Sequence, residues 1–341
     1  MKMMKTRACL LPVLVSSVVL VMTSCGRNVG APKHHVKLLL DWKAGAEHAF
    51  VYYGLKKNFF ADEGIDLEII AGEGSSDSVT QINGKAVDFA LCAGETALLA
   101  VAAQQPRPVK MLACFYWTTP TEIFSIDTKS IVKPEDLYGK RLGVVKGSSG
   151  YRNYLAFARS VGLDRSRIKE VPCTGDVREM LGENAEIDAL VQFFYQEPLQ
   201  LKLAGYKLHE IRFDAAGIQV YGQGLITHED TLQNHTLIKG MTRAIQRSWQ
   251  ATLVNPDAVV DVFLALHPGP SETYSYAKIK EVVGFVKEGM TRANVKVIGE
   301  QTATGWISTY QYLRDQQMLQ RTIDPEVVWT NDYLDRSIVL P

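Results

Sequence analysis

Strand-like and helix-like segments alternate along the chain from residue 36 to about residue 227, and this pattern constrains the fold most. An apolar run at 36–40 precedes helical spacing of apolar residues over 48–61 and a period-two alternation over 65–70. The unit then repeats, and a second set of such segments begins near residue 122. Because helices between successive strands favour parallel pairing, the pattern predicts an α/β fold with two mainly parallel sheets flanked by helices.

Beyond residue 227 the pattern changes to helices alone, so the C-terminal segment is predicted to be helical. Periodicity leaves open whether the two sheets are consecutive domains or one lobe interrupted by another. The stretches 117–120 and 221–224 are polar or glycine-rich, and the chain could cross between lobes at both. Two crossings would form a hinge, and a ligand would bind in the cleft at the carboxyl ends of the strands.

The N-terminal segment is typical of secretion. Three basic residues precede an uncharged apolar run at 8–22, which is shorter than the ~20 residues needed to cross a bilayer. Small residues then precede Cys25, as a lipoprotein signal peptidase requires. We expect a signal peptide at 1–24, lipidation of Cys25 and a polar tether at 25–35. The alternative is an ordinary signal peptide followed by a chance cysteine.

Composition excludes several classes of protein. The 37 basic and 37 acidic residues give no net charge, so no basic surface for nucleic acid is expected. Besides Cys25, the chain after the signal peptide has only Cys92, Cys114 and Cys173, which excludes a disulfide scaffold but leaves one bridge open. The seven histidines are scattered without metal-ligand spacing.

In the first half of the chain, polar and aromatic residues follow the predicted strands. Asp41 and Trp42 end the first strand and His48 opens the next helix, so Trp42 could stack on a planar ligand and His48 could hydrogen-bond it. Alternatively, Trp42 covers the sheet end and His48 is solvated. Glu95 opens a later helix, where it is either a cap or a contact to a ligand amine.

The second half shows the same arrangement. Ser148 and Ser149 join a strand to a helix, either as an anion-binding helix end or as a simple N-cap. Tyr195 and Glu197 follow a buried apolar run, and Glu197 alone is explained as a helix cap. Glu197 and Glu95 could act as general acid and base, but the sequence does not determine the distance between them.

Several segments, in this order and spacing, resemble the thiamine-pyrimidine (NMT1/THI5-like) family. They are residues 40–42 with His48, 52–67, 84–89, 136–143, 188–190 with Glu197, and 329–334. That family comprises bacterial solute-binding proteins for thiamine precursors and related heterocycles, together with a fungal pyrimidine synthase. The resemblance implies a two-lobed type II periplasmic-binding fold, in which the chain crosses the hinge twice and the C-terminal helices return to the first lobe.

The resemblance also implies boundaries and contacts. Lobe 1 is expected at 36–117 and 225–341, and lobe 2 at 118–224. The ligand-facing segments of the family, combined with the strand-end residues above, predict a set of ligand contacts. They are Asp41, Trp42, His48, Glu95, Trp117, Ser148, Ser149, Tyr195, Glu197 and Tyr221.

Comparison with the residues that the fungal synthase needs argues against an enzymatic role for this chain. Its cofactor-bearing lysine and its histidine fall at Cys92 and Thr96, and its cysteine-rich loop falls near 219–224, which contains no cysteine. A thiol cannot form the Schiff base that pyridoxal phosphate requires, so we expect neither catalysis nor a cofactor.

The favoured interpretation is an extracytoplasmic, lipid-anchored, monomeric solute-binding protein of an ABC importer, working with permease and ATPase subunits. Its ligand would be thiamine or a thiamine-precursor pyrimidine. The alternatives are riboflavin or another aromatic heterocycle, a sulfonate- or nitrate-type anion, a pyrimidine synthase, or a structural lipoprotein.

Overall fold

Two five-stranded sheets form the framework of the protein. We describe a computed structural model over residues 34–103, 109–182 and 185–341. The first sheet contains β1 (His34–Leu39), β2 (Ile65–Ile70), β3 (Phe89–Ala93), β4 (Val109–Cys114) and β10 (Gln223–His228). The second contains β5 (Thr121–Ile126), β6 (Arg141–Val144), β7 (Lys169–Pro172), β8 (Ala189–Phe193) and β9 (Leu208–Arg212).

Both sheets are mixed and have the same arrangement. Their strand orders are β2-β1-β3-β10-β4 and β7-β6-β8-β5-β9. In the first, β1 pairs parallel with β2 and β3, and β10 pairs antiparallel with β3 and β4. In the second, β6 is parallel to β7 and β8, and β5 is antiparallel to β8 and β9. The reversed strands, β5 and β10, are those that follow each passage of the chain between the sheets.

Helices cover the sheets and make up most of the chain after β10. They are α1 (Ala49–Lys56), α2 (Ser75–Asn83), α3 (Gly94–Ala102), α4 (Ser149–Ser160), α5 (Glu197–Leu203), α6 (His235–Val254), α7 (Pro256–Leu266), α8 (Glu272–Arg292) and α9 (Ala303–Asp315). The predicted α/β alternation and helical C-terminal segment are therefore confirmed. The sequence did not predict β9 or β10.

Each sheet packs its own core, so the fold has two lobes. In lobe 1, which surrounds the first sheet, the ring of Trp249 from α6 stacks on Phe50 from α1 with centroids 4.4 Å apart. In lobe 2, which surrounds the second sheet, Phe157 and Phe213 stack at 4.2 Å in a separate cluster. Since Trp249 belongs to the core of lobe 1, the C-terminal helices return to that lobe.

The chain passes between the lobes twice, after β4 and before β10. The two passages are bonded to each other, because the Gly222 backbone N–H donates to the Tyr116 carbonyl oxygen at 2.8 Å and the Phe115 N–H donates to the Gln223 oxygen at 2.8 Å. The residue boundaries predicted for the lobes, 117/118 and 224/225, remain predictions, although β10 already starts at Gln223.

The first described strand corrects one boundary. Residues 34 and 35 were expected in the tether, but both belong to β1. His35 contacts Asp66 and Glu68 on β2 at 3.2 and 3.1 Å, and these contacts extend the strand into the polar segment. The predicted signal peptide and the predicted lipidation site Cys25 lie outside the described residues. None of the helices within those residues has the length and apolar character required to span a bilayer.

Candidate functional site

A cavity of about 390 Å³ lies between the lobes, where the carboxyl ends of β1, β6 and β8 meet. This is the position expected for a ligand site in open α/β sheets. Seven of the ten predicted contacts line it, namely Asp41, Trp42, His48, Ser148, Ser149, Tyr195 and Glu197. Trp42 and Glu197 thus border the same space from opposite lobes.

On the lobe 1 wall, Asp41 and His48 form a hydrogen-bonded pair. His48 is buried, its Nε2 lies 2.8 Å from Asp41 Oδ1, and its Nδ1 accepts the Gly45 backbone N–H at 3.3 Å. Because a backbone N–H can only donate, the ring proton is on Nε2 and donates to Asp41. Gln223 Nε2 also donates to both Asp41 oxygens at 3.1 Å. The alternative of a solvated His48 is wrong, and Asp41 is held rigidly at the cavity edge.

Trp42 is partly exposed in the cavity rather than packed into a core. It lies beside Gly74, where an added Cβ would come within 3.7 Å of the indole ring. Aromatic side chains also border the cavity from lobe 2, with Phe193 partly exposed and Tyr195 buried. The cavity therefore has flat apolar surfaces contributed by both lobes, which can contact a planar ring.

A buried ion pair supports the same wall. Glu47 and Lys278 lie 2.6 Å apart, and their side chains are only 4% and 5% exposed. Burial is the largest single influence on the pKa of Glu47 and would raise it, but Lys278, with a further contribution from His48, holds that pKa below its usual value. Gln196 of lobe 2 bonds both partners, donating to Glu47 Oε1 at 2.8 Å and accepting from Lys278 Nζ at 2.7 Å. The pair therefore contacts the other lobe through one amide side chain.

On the lobe 2 wall, α4 begins at the cavity. Ser148 is its N-cap, and its Oγ accepts the Tyr151 backbone N–H at 3.1 Å. The N-cap interpretation of Ser148 is confirmed. Ser149 points across the cleft, where its Oγ donates to Glu95 Oε1 at 2.6 Å. The remaining backbone N–H groups of this first turn have no partner within the helix and are available to acceptors in the cavity.

Glu197 begins α5 and supplies a carboxyl group to the cavity. Its Oε2 is shielded from solvent and has no hydrogen-bond partner among the described residues. Burial raises the pKa of Glu197 to about 7. Near neutral pH the group is therefore present in both protonation states, and it can either donate a hydrogen bond or accept one.

Glu95 lies behind the cavity rather than on its surface. It is fully buried in the first turn of α3, and burial raises its pKa against the opposing charge of Arg152. Its contacts are Ser149 Oγ and, at 3.1 Å, Thr96 Oγ1. Glu95 therefore takes part in the contact between lobes and is not part of the cavity lining, and its predicted contact with a ligand stays a prediction.

Trp117 and Tyr221 line a different cavity, of about 300 Å³, beside the two chain passages. Trp117 Nε1 donates to the Glu300 carbonyl oxygen at 3.0 Å, and the Tyr221 hydroxyl accepts the Thr302 backbone N–H at 2.9 Å. Both aromatic residues thus join the hinge to the segment before α9. Their positions give no support to the predicted contact with a ligand in the interlobe cavity.

Several cavity residues were missing from the predicted contacts. They are Glu47, Asp176, Phe193, Gln196 and Gln223. A signal existed for three of them, because Asp176 and Phe193 follow or end strands and Glu47 sits beside His48. Gln223 was missed together with its strand, and the role of Gln196 depends on the position of the other lobe.

The cavity surface is rich in carboxyl groups. Four acidic residues line it, namely Asp41, Glu47, Asp176 and Glu197. Among the described residues, the lining has one lysine, Lys43, and no arginine. Within the same part of the chain, no group of three His, Cys, Asp or Glu side chains is placed to hold a metal ion. This surface suits amino groups and other N–H donors better than an oxyanion.

Comparison with known families identifies the chain. The sequence profile described as NMT1/THI5 like matches residues 45–259, which is more than half of the protein. The chain belongs to the NMT1/THI5-like family. The resemblance inferred from sequence segments is thereby confirmed.

Named relatives of this NMT1/THI5-like chain differ in function. It is 27% identical to a 4-amino-5-hydroxymethyl-2-methylpyrimidine phosphate synthase of Legionella pneumophila, over 89% of this chain and 93% of the relative. It is 23% identical to the riboflavin-binding protein RibY of Chloroflexus aurantiacus, over 97% and 99%. It is 22% identical to a formylaminopyrimidine-binding protein of Halalkalibacterium halodurans, over 90% and 94%. Two of the three are named as binding proteins and one as an enzyme.

Solved structures support the fold of this family member. The alkanesulfonate-binding protein SsuA of Xanthomonas axonopodis pv. citri, bound to MOPS, superimposes with a TM-score of 0.66 at 11% identity, covering 88% of this chain and 99% of that one. The two-lobed periplasmic-binding architecture expected from the sequence is therefore confirmed. At this identity the likeness extends to the fold alone.

The two positions that the sequence resemblance matches to synthase residues, Cys92 and Thr96, lie in lobe 1 of this NMT1/THI5-like chain. Cys92 is fully buried on β3, and burial raises the pKa of its thiol far above the usual value. Its Sγ contacts the Ser75 carbonyl oxygen at 3.6 Å. Thr96 bonds Glu95 and Arg152. Cys92, Cys114 and Cys173 are all free thiols.

Proposed function

We propose that this protein is the solute-binding component of an ABC importer and that its interlobe cavity binds thiamine or a thiamine-precursor pyrimidine. The observation that carries the proposal is the convergence of aromatic surfaces and the carboxyl group of Glu197 on one cavity between two lobes. Trp42 and Phe193 would contact the ring faces. Asp41 and Glu197 would accept from its amino groups.

The ability of Glu197 to donate or accept favours an aminopyrimidine. The edge of such a ring presents an amino donor beside a nitrogen acceptor, and a neutral carboxyl group offers the complementary acceptor and donor. The pKa of about 7 keeps that neutral form accessible at physiological pH. The formylaminopyrimidine-binding relative supports the same ligand class.

A binding role is favoured over synthesis. Cys92 stands where the synthase of the family has its cofactor-bearing lysine, and a thiol forms no Schiff base. The carboxyl-rich cavity disfavours a sulfonate or nitrate ligand. Riboflavin remains the competing ligand, because the RibY relative is as similar as the pyrimidine-binding one. We propose that the protein acts outside the cytoplasm as a lipid-anchored monomer, with lipidated Cys25 as its anchor and permease and ATPase subunits as its partners.

Calorimetry on the protein without its signal segment tests the proposal. Thiamine or an aminopyrimidine should bind with one-to-one stoichiometry and quench tryptophan fluorescence, whereas an alkanesulfonate should give no heat. Replacing Trp42 with alanine should weaken ring binding by about 1–3 kcal/mol, the range known for stacked bases. Tyr206→Ala, which removes an exposed aromatic side chain outside the cavity, is the control. Binding heat with riboflavin and with no pyrimidine would reassign the ligand. The absence of binding heat with every heterocycle tested would refute the proposal.

A further inference from the structure

Arg152 of lobe 2 reaches across the cleft to two different helices of lobe 1. Its Nη1 donates to Ser76 Oγ on α2 at 2.8 Å, and its Nη2 donates to Thr96 Oγ1 on α3 at 2.7 Å. Nη1 also donates to the Gly147 carbonyl oxygen of its own lobe at 3.0 Å. The guanidinium thus bonds three groups at once, through N–H donors that its planar fork holds in fixed directions.

A second contact beside Arg152 also joins α4 to α3. Ser149, one turn earlier on α4, donates to Glu95 Oε1, which also accepts from Thr96 Oγ1. Thr96 therefore receives a hydrogen bond from Arg152 while it donates one to Glu95. The guanidinium and the buried carboxylate carry opposite charges, so the attraction between them acts across the closed cleft.

The first turn of α4 is also attached to the passage between the lobes. Asn153 Nδ2 donates to Thr119 Oγ1 on the first passage at 2.9 Å and lies 3.4 Å from Ser149 Oγ. Asn153 and Thr119 are both buried. The residues that contact lobe 1 are therefore held at a defined distance from the hinge, and separating the lobes would break their bonds to lobe 1.

We propose that Arg152 is a positioning residue that holds the two lobes closed and thereby sets the rate of ligand release. It does not line the interlobe cavity, so it acts on the ligand through lobe closure rather than through direct contact. The inference rests on the proposed binding function for its effect on release. Closure itself can be measured without any ligand.

The first experiment measures ligand release by stopped-flow tryptophan fluorescence with the thiamine-related compound bound in calorimetry. Arg152→Ala should raise the dissociation rate constant by about 10- to 100-fold, the effect of losing charged hydrogen bonds, and leave the association rate constant within about threefold. Arg152→Lys keeps the charge without the planar fork and should give a smaller increase. Arg159→Ala removes an exposed arginine from the same helix and should change neither rate. An unchanged dissociation rate in folded Arg152→Ala would overturn the proposal.

The second experiment separates this inference from the identity of the ligand. Spin labels on Lys56→Cys in lobe 1 and Lys169→Cys in lobe 2, both exposed positions, report the distance between lobes by pulsed electron resonance. In ligand-free protein, Arg152→Ala should reduce the population at the short, closed distance. Equal distance distributions in the two proteins would contradict the proposal whether or not a ligand had been found. A reduced closed population together with no ligand binding would retain the role of Arg152 and remove only the proposed function.

Discussion

The carboxyl groups of the cavity differ because their surroundings differ. Glu47 has a buried ammonium partner in Lys278, so it stays charged. Glu197 borders the same cavity from lobe 2 but has an oxygen without any partner among the residues described, and burial raises its pKa to about 7. Two glutamates on one cavity therefore offer a fixed acceptor and a group that can either donate or accept.

The raised pKa of Glu197 makes stability depend on pH. The group has a pKa of 4.5 in its ordinary state and about 7 when folded, so the folded protein binds this proton more tightly. The contribution of Glu197 to the free energy of unfolding is fully present below pH 4.5 and is lost as the pH rises through 7. Relative to Glu197→Gln, the ligand-free wild type should lose up to about 3 kcal/mol of unfolding free energy between pH 4.5 and 8.

Urea unfolding at several pH values measures this difference. Glu135→Gln replaces an exposed glutamate of lobe 2 and should track the wild type at every pH. If the unfolding free energies of wild type and Glu197→Gln differed by the same amount at every pH, Glu197 would have an ordinary pKa in the folded protein.

Among the elements, β10 shows most clearly what the sequence could and could not predict. It is a central, fully buried strand between β3 and β4, yet it opens with Gln223 and Gly224 instead of an apolar run. Glycine is unfavourable inside strands, and the segment shows no alternation of apolar and polar residues. The short distance to its neighbour requires the glycine, because an added Cβ at Gly224 would lie 2.3 Å from the Ala113 carbonyl oxygen.

Alanine at two glycines should therefore have opposite effects. Gly224→Ala should lower the unfolding free energy by about 1–3 kcal/mol, because the backbone of β4 must move. Gly284→Ala, on an exposed face of α8 where the new Cβ meets nothing within 4 Å, should raise it by about 0.5–1 kcal/mol. Chemical denaturation of both variants provides the comparison. Equal effects of the two substitutions would show that β10 has room for a side chain.

The candidate site was predictable to the extent that it depends on strand ends. Asp41, Trp42 and Glu197 follow or flank strands, and the carboxyl ends of parallel strands meet at one edge of a sheet. The bond between Gln196 and Glu47 was not predictable, because it depends on how one lobe lies against the other. Trp117 and Tyr221 were placed near the hinge correctly, but sequence could not show that they face a second cavity.

At the scale of the whole molecule, the C-terminus completes lobe 1. The edge strand of lobe 1, β4, is covered by a segment more than 200 residues later in the chain. There Trp329 pairs with Met111, and the Thr330 N–H donates to the Met111 carbonyl oxygen at 3.0 Å. Val328, Tyr333, Leu334 and Ile338 are buried in the same region. The last residues therefore belong to the core of the lobe that also contains β1.

A chain that ends at Asp324 should fail to fold lobe 1. Each of the four buried side chains contributes about 1.5–3 kcal/mol, and their sum lies within the roughly 5–15 kcal/mol that stabilises a typical domain. The measurement is refolding yield with dye binding to exposed apolar surface. Deletion of the exposed Pro341 alone should leave folding intact. A soluble, cooperatively unfolding protein from the chain ending at Asp324 would contradict this view of the C-terminus.

The hydrogen bonds between the two passages also limit how the lobes can move. Gly222 and Gln223 on the returning passage bond Tyr116 and Phe115 on the outgoing one, so the two segments form a ribbon. A paired ribbon bends readily across its plane and resists bending within it. We therefore expect the lobes to separate by rotation about one line rather than by twisting or sliding. For the proposed binding function, this predicts that a ligand leaves the cavity on the side away from the ribbon.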